Sequence, residues 1–288
     1  MADESGVEAH QYRADTTVTF TAPKAANVLP PASRFNGELI VADIDSPQEL
    51  IDEQPSHLYL AETEDAARWL KKSGFSSDDY KNKRGHALVI AGSEDYSGAA
   101  VLAGNAAIRS GAGLVTLACP TNAKAEIASR LLPEVILSTI ESDEFAGHFE
   151  RADAVAVGCG LDANDPDIGK LVREVVETGT KPVIVDAGAL WFFNPPEENH
   201  PGGETPPPLL SKEGSLESSP MILTPHEGEF LRLLGDQGEN YPVGETPPPL
   251  LRKEGSLKED RVAAVREYAV ANNVILVLKG ERVLIGSP

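Results

Sequence analysis

The chain has 288 residues, 41% of them hydrophobic, with 45 acidic against 25 basic side chains and a formal net charge of -20. That length suits one or two domains with a buried core, and the acidic excess excludes the basic stripe that a nucleic-acid binder needs. No apolar run approaches a membrane span, no basic-then-apolar leader opens the chain, and Cys119 and Cys159 lack metal-like spacing, so the reading is a cytoplasmic chain with two free thiols.

In chain order, Thr16 to Phe20 (TTVTF) is β-branched and predicts a strand, and Leu39 to Ile44 (LIVADI) a second, with Pro30 and Pro31 breaking the chain between them. Two strands with little helix cannot bury a core alone. Residues 1–72 therefore read as a partial domain, closed by a helix over Glu62 to Lys72. A polar linker follows from Ser73 to Arg84, and a second domain runs over 85–288.

That second domain opens with strand, loop, helix, strand. Ala87 to Ala91 is a short apolar run bounded by Gly85 and Gly92, and Gly92 to Gly98 is a loop of small and polar residues. Gly98 to Ser110 predicts a helix whose apolar face carries Val101, Leu102, Ala106 and Ile108, stopped by Gly111 and Gly113 through the left-handed turn that glycine accepts without penalty. Leu114 to Ala118 is the next strand. Further alternation follows: a strand over Ala154 to Gly158, and a helix over Asp167 to Thr178 with Ile168, Leu171, Val172 and Val175 on one side. Strands over Pro182 to Ala187 and Met221 to Leu223 come next, then a helix ending at Leu234–Gly235, a helix over Asp260 to Ala271, and a last strand over Val274 to Leu278. This rhythm predicts an α/β fold with a mostly parallel sheet and helices on both faces. Gly203 to Leu216 and Gly244 to Leu257 are near-identical proline-rich copies (GETPPPLL-S/R-KEGSL) between core elements and read as inserted surface loops.

Ligands of such sheets gather at the carboxyl ends of the strands. A helix N-terminus there can hold a phosphate without net positive charge, so the acidic composition leaves phosphorylated ligands open. Three places stand out. The loop Ser93 to Gly98 permits close backbone approach, whether as a ligand cradle or a tight turn. Thr224 to Glu229 (TPHEGE) opens a helix, with Thr224 and Glu227 in capping-box spacing and Pro225 in the first turn; His226 could meet a polar ligand or serve as a cap. Lys279–Gly280 ends the last strand, where a lysine could meet a phosphate or sit on an exposed hairpin. Asp162 and Asp165 read as a helix cap, not a metal site.

In combination these motifs are more specific. GHALVIAGSEDYSGAAVLAGNAAIRSGAGLVTLA, VAVGCGL, VIVDAGALW, LTPHEGEF and LKG, in this order, resemble the NAD(P)H-hydrate dehydratase family over residues 80–288 outside the insertions. RADTTVTFTAPKAANVLPPA with GELIVADIDSP resembles the C-terminal end of the NAD(P)H-hydrate epimerase domain, which bacteria often fuse ahead of the dehydratase. The resemblance implies a ribokinase-like fold preceded by a remnant of a Rossmann-like epimerase domain. It implies hydrated NADH or NADPH as substrate, in the S form, and ADP (or ATP) with Mg2+ as phosphoryl donor. Phosphorylation would turn the ring hydroxyl into a phosphate that leaves and restores the cofactor; in the family this is coupled to epimerisation of the hydrate.

By match to the family's motifs, Ala99, Gly160, Thr224, Pro225, His226, Glu227, Gly228 and Glu229 would contact the hydrated nucleotide. Lys279, Gly280, Glu281, Arg282 and Val283 would contact ADP. No catalytic residue is assigned: the family's GTGD-type motif, with the activating aspartate, would fall beyond Pro288, and Asp186 matches a different motif. The potassium site of the epimerase domain would fall before Met1. A second aspartate of the family is replaced by Gly188, a threonine by Val283, and a frequent glycine by Asp162. The expectation is a fragment truncated at both ends, inactive alone, that binds neither nucleic acid nor membrane; a homo-oligomer stays open. A ribokinase-like vitamin-precursor kinase and a non-catalytic nucleotide-binding remnant are the alternatives, the YSGA loop and TPHEGE run favouring the dehydratase.

Overall fold

The structure, a computed structural model, describes residues 12–53, 58–72, 74, 76–193, 219–234 and 261–288. Both proline-rich copies, Gly235 and Asp260 lie outside the described residues. The chain divides into two compact units. The described residues of the first come from 12–74 and 261–264, and those of the second from 76–234 and 265–288.

In the first unit β1 (Thr16–Phe20) and β2 (Glu38–Ala42) pair in parallel, Thr16 opposite Glu38 and Phe20 opposite Ala42. The second strand ends two residues before the predicted Ile44; Asp45, with φ of 55°, turns the backbone there. Between the strands lie α1 (Ala25–Val28), the cis Pro30–Pro31 peptide and a 3-10 turn over Ala32–Phe35. Alternation puts Thr17 and Thr19 on one face, where Thr19, Leu29 and Ala32 are buried, while Val18, Phe20 and Ile40 are exposed. Helices α2 (Gln48–Asp52) and α3 (Thr63–Lys72) follow.

The second unit opens with β3 (His86–Ile90), α4 (Ser97–Arg109) and β4 (Leu114–Cys119). Then come α5 (Lys124–Ala128), β5 (Ile136–Thr139), α6 (Phe145–Arg151), β6 (Ala154–Val157) and α7 (Pro166–Glu177). Last are β7 (Val183–Val185), β8 (Met221–Leu223), α8 (Glu227–Leu233), α9 (Arg261–Asn272, of which the part from Val265 on belongs to this unit), β9 (Ile275–Leu278) and β10 (Leu284–Gly286). The sheet order is β10-β9-β8-β7-β6-β3-β4-β5. Every pairing is parallel except β9 with β10.

Val89, Val115, Leu117 and Cys119 face one side of this sheet and pack with Ala100 and Val101 of α4 and Ile127 of α5. Leu88, Ile90, Thr116 and Ala118 face the other side and are equally buried. Both faces are covered, which explains the near-continuous apolar strands.

Four sequence expectations change. Leu102, 74% exposed, and Ala106, also exposed, do not belong to the buried face of α4, which carries Ser97, Ala100, Val101 and Gly104 instead. The small residue at Gly104 lets the helix approach Leu117 and Leu131, so alanine and glycine rather than leucine mark the contact stripe. Gly111 takes the left-handed turn (φ 103°) but Gly113 does not; it is glycine because a Cβ would stand 1.7 Å from the Lys81 carbonyl. β9 is not the last strand: Leu284–Gly286 folds back on it antiparallel. The capping box lies two residues later than its sequence spacing suggests, as described below.

Candidate functional site

The chain leaves β3 toward β4 and β5, then returns on the opposite side of β3 as β6. Connections from the carboxyl ends of β3 and β6 therefore diverge and leave a crevice. Its floor is tight. Gly92 N–H donates to the Cys159 carbonyl at 2.9 Å, and Gly158 N–H donates to the Ile90 carbonyl at 3.1 Å. Gly158 has φ of 125°, and a Cβ there would sit 1.8 Å from the Asp186 carbonyl. Gly160 has φ of 74°, and a Cβ there would meet the Tyr96 carbonyl at 2.7 Å and the Ala99 methyl at 2.8 Å. Ala99 and Gly160, far apart in sequence, thus pack directly against each other where the two connections start. Above them Tyr96 is exposed, and its N–H donates to Ser93 Oγ at 3.2 Å. Arg130 reaches the start of α4, donating to Ser97 Oγ at 2.7 Å and pairing with Glu126 at 3.2 Å. Its sequence surroundings give no hint of this.

Beside the crevice the ends of β6, β7, β8 and β9 carry Cys159, Asp186, Thr224 and Lys279. One carboxylate gathers them. Asp186 Oδ1 accepts from Lys279 Nζ at 2.6 Å and from Thr224 Oγ1 at 2.8 Å, and Oδ2 accepts from Cys159 Sγ at 3.7 Å. The pair is partly open to solvent, with Lys279 and Asp186 side chains 44% and 26% exposed. Burial, reinforced by the Asp186 charge and hydrogen bond, pushes the Cys159 thiol up to about 11, so it stays protonated near neutral pH. Backbone bonds brace the cluster: Lys279 N–H donates to the Pro225 carbonyl at 2.8 Å and Thr224 N–H to the Val185 carbonyl at 3.1 Å.

These contacts relocate the capping box. Thr224 spends its hydroxyl on Asp186, so it is not the cap, and Pro225 precedes the helix instead of lying in its first turn. His226 is the N-cap of α8: Nδ1 accepts from Gly228 N–H at 3.0 Å and Glu229 N–H at 3.2 Å, while Glu229 Oε2 accepts from His226 N–H at 2.7 Å. With Nδ1 an acceptor, the neutral ring carries its proton on Nε2, which lies 3.5 Å from Glu229 Oε1. Glu227 begins the helix. Asp165 caps α7, accepting from Asp167 N–H at 2.9 Å, in line with its sequence reading. Gly280, Glu281, Arg282 and Val283 form the exposed turn between β9 and β10. At Gly188, where a side chain would stand 2.3 Å from the Leu161 carbonyl, the backbone leaves no room for an aspartate.

Of the sequence candidates, Ala99 and Gly160 meet directly, and Thr224, Pro225 and Lys279 meet around Asp186. His226, Gly228 and Glu229 serve one cap. Sequence reasoning set Asp186 aside; the signal available was a lone acid at the carboxyl end of an otherwise apolar strand (PVIVDA).

The fold defines a doubly wound α/β protein, a class that binds ligands at the topological switch point, here between β3 and β6. Residues 87–288 match the family model described as NAD(P)H-hydrate dehydratase, and the chain belongs to that family. It is 31% identical to the bifunctional NAD(P)H-hydrate repair enzyme of Moorella thermoacetica, across 99% of this chain and 51% of the relative. It is 29% identical to the ADP-dependent (S)-NAD(P)H-hydrate dehydratase of Neisseria meningitidis, across 74% of this chain and 62% of the relative. The chain thus spans about half the length of the bifunctional relative. Among solved structures, the Bacillus subtilis ADP/ATP-dependent NAD(P)H-hydrate dehydratase co-crystallised with ATP and Mg2+ superposes with a TM-score of 0.52 at 29% identity, covering 75% of this chain and 65% of that one. A ribokinase-like superfamily protein of Enterococcus faecalis, with a TM-score of 0.54 and 23% identity over 74% of this chain and 64% of that one, shares the fold.

Proposed function

We propose that the second unit is the nucleotide-handling part of an ADP-dependent dehydratase acting on the S form of hydrated NADH or NADPH. The observation that carries the reading is the Asp186 cluster. It ties Thr224, at the head of the TPHEGE segment, to Lys279, at the head of the β9–β10 turn, on the same edge of the sheet as the contact between Ala99 and Gly160. In this reading Ala99, Gly160 and residues 224–229 hold the hydrated nucleotide, and residues 279–283 hold ADP.

ADP supplies a phosphoryl group for the ring hydroxyl. Hydroxide leaves poorly and phosphate well, so elimination driven by the ring nitrogen lone pair returns NADH, AMP and inorganic phosphate. The chain's own part is positional. Lys279 offers an ammonium, half open to solvent, to a phosphate. The glycines at 158 and 160 let the chain leaving β6 pack tightly against the Asp186 carbonyl and against Tyr96 and Ala99, which fixes the backbone between the strand ends. Mg2+ keeps most of its coordination for water and phosphate oxygens and would arrive with the nucleotide. A cytoplasmic setting belongs to the same proposal; among the described residues no helix is long and apolar enough to cross a membrane.

Calorimetric titration of the 288-residue chain with ADP and with hydrated NADH tests the reading. Binding of both supports it, and failure of either to bind at millimolar concentration overturns it. An ADP-dependent recovery of NADH absorbance then shows whether this chain also turns over.

A further inference from the structure

We infer that Asp186 is a positioning residue for nucleotide binding, the anchor that holds the Lys279 ammonium at the phosphate position. This rests on the reading that residues 279–283 hold ADP. Lys279 sits at the end of β9 on a four-carbon stem whose side chain is 44% exposed. Left alone, such a stem samples many rotamers, and capturing a phosphate would freeze them. Asp186 has already frozen them. Its Oδ1 lies 2.6 Å from Nζ, while Thr224 Oγ1 donates to the same oxygen at 2.8 Å and Cys159 Sγ approaches the other at 3.7 Å. The carboxylate is itself held by the ends of the two strands that flank its own, β6 and β8, so the ammonium inherits the rigidity of the sheet. Of its three protons, the one toward Asp186 is used; the open side faces solvent beyond the strand ends. A phosphate approaches from that side, with the ammonium standing between it and the carboxylate, so the like-charge repulsion is screened by the cation and by solvent.

The alternative effect has the opposite sign. If repulsion between Asp186 and the phosphate outweighed the positioning, removing the charge would tighten ADP binding. The test is a double-mutant cycle on ADP affinity, measured by calorimetry with D186N, K279M and the double variant. D186N keeps an oxygen for Thr224 and removes only the charge. Positioning predicts that D186N weakens ADP about tenfold in the Lys279 background and has no effect in the K279M background. It also predicts that D186E, which restores the charge on a longer stem, recovers most of the loss. A purely structural role would lower affinity equally in both backgrounds. Unchanged or tighter ADP binding by D186N, an equal loss in both backgrounds, or a D186E variant as weak as D186N would each overturn the inference while leaving the ADP reading intact. No ADP binding by the unsubstituted chain would remove both. Where D186N does not fold, D186S, which also removes the charge and keeps an oxygen for Thr224, carries the same cycle, and its effect must again vanish without Lys279.

Discussion

Two parallel strand pairs in this molecule share one local geometry and differ in everything else. β1 and β2 pair over five positions, from Thr16 opposite Glu38 to Phe20 opposite Ala42, and β3 and β4 pair over five, from His86 opposite Leu114 to Ile90 opposite Ala118. Yet Phe20 is 56% exposed and Leu117 fully buried. The first pair meets short helical turns on one face, while the second lies inside an eight-stranded sheet with helices against both faces. Parallel pairing is weak by itself and derives its stability from what covers it. The chemistry follows the same division: the candidate site stands on the covered sheet, where strand ends are held rigidly enough to aim side chains.

Substitutions that remove or invade the packing should therefore separate the two pairs. The largest loss is expected for Gly158→Ala, whose Cβ would overlap the Asp186 carbonyl at a left-handed backbone position. Strain of about 1–3 kcal/mol and overpacking of about as much again should appear as a large fall in the urea midpoint, together with loss of ADP binding. Leu117→Ala, opening a cavity between the sheet and α4, should cost about 2–5 kcal/mol in the same measurement.

A pH effect of intermediate size is expected from His86, whose Nε2 lies 2.9 Å from Thr116 Oγ1 inside the sheet. Burial, aided by the charges of His148 and Arg151, lowers its pKa below the ordinary 6.5. The folded value lies below the unfolded one, so this contribution to stability is complete above pH 6.5 and is lost as pH falls through the folded value. Thermal melts should be flat above neutrality and decline below it, and His86→Gln should flatten that decline. The smallest effect is expected for Phe20→Ser on the exposed face of β1, within about 0.5 kcal/mol. A loss as large as that of Leu117→Ala would mean that the first pair has a partner covering it.

Much of this was legible in the sequence. Apolar runs bounded by glycine marked β3, β4, β6 and β9 to within a residue or so at each end, because burial on both faces leaves a composition signature. Ordered motifs marked the family. Elsewhere the local pattern misled. Leu102 reads as core by spacing but points to solvent, since the contact needed the small Gly104 instead. Thr224 and Glu227 read as a cap, but an imidazole nitrogen two residues on performs that task. β5 and β10 carried no expectation, being short strands at the two edges of the sheet.

The sequence by itself determined the alternation of strand and helix, the acidic surface and the family, all of which depend on residues near one another or on their order. Strand order, the crevice between β3 and β6, and the role of Asp186 were decided only by tertiary structure. Asp186 meets Cys159, Thr224 and Lys279 at separations of 27, 38 and 93 residues. The physical reason is that periodicity reports how deeply a residue is buried along its own element, whereas the partner of a polar side chain at a strand end depends on which strands the sheet places beside it.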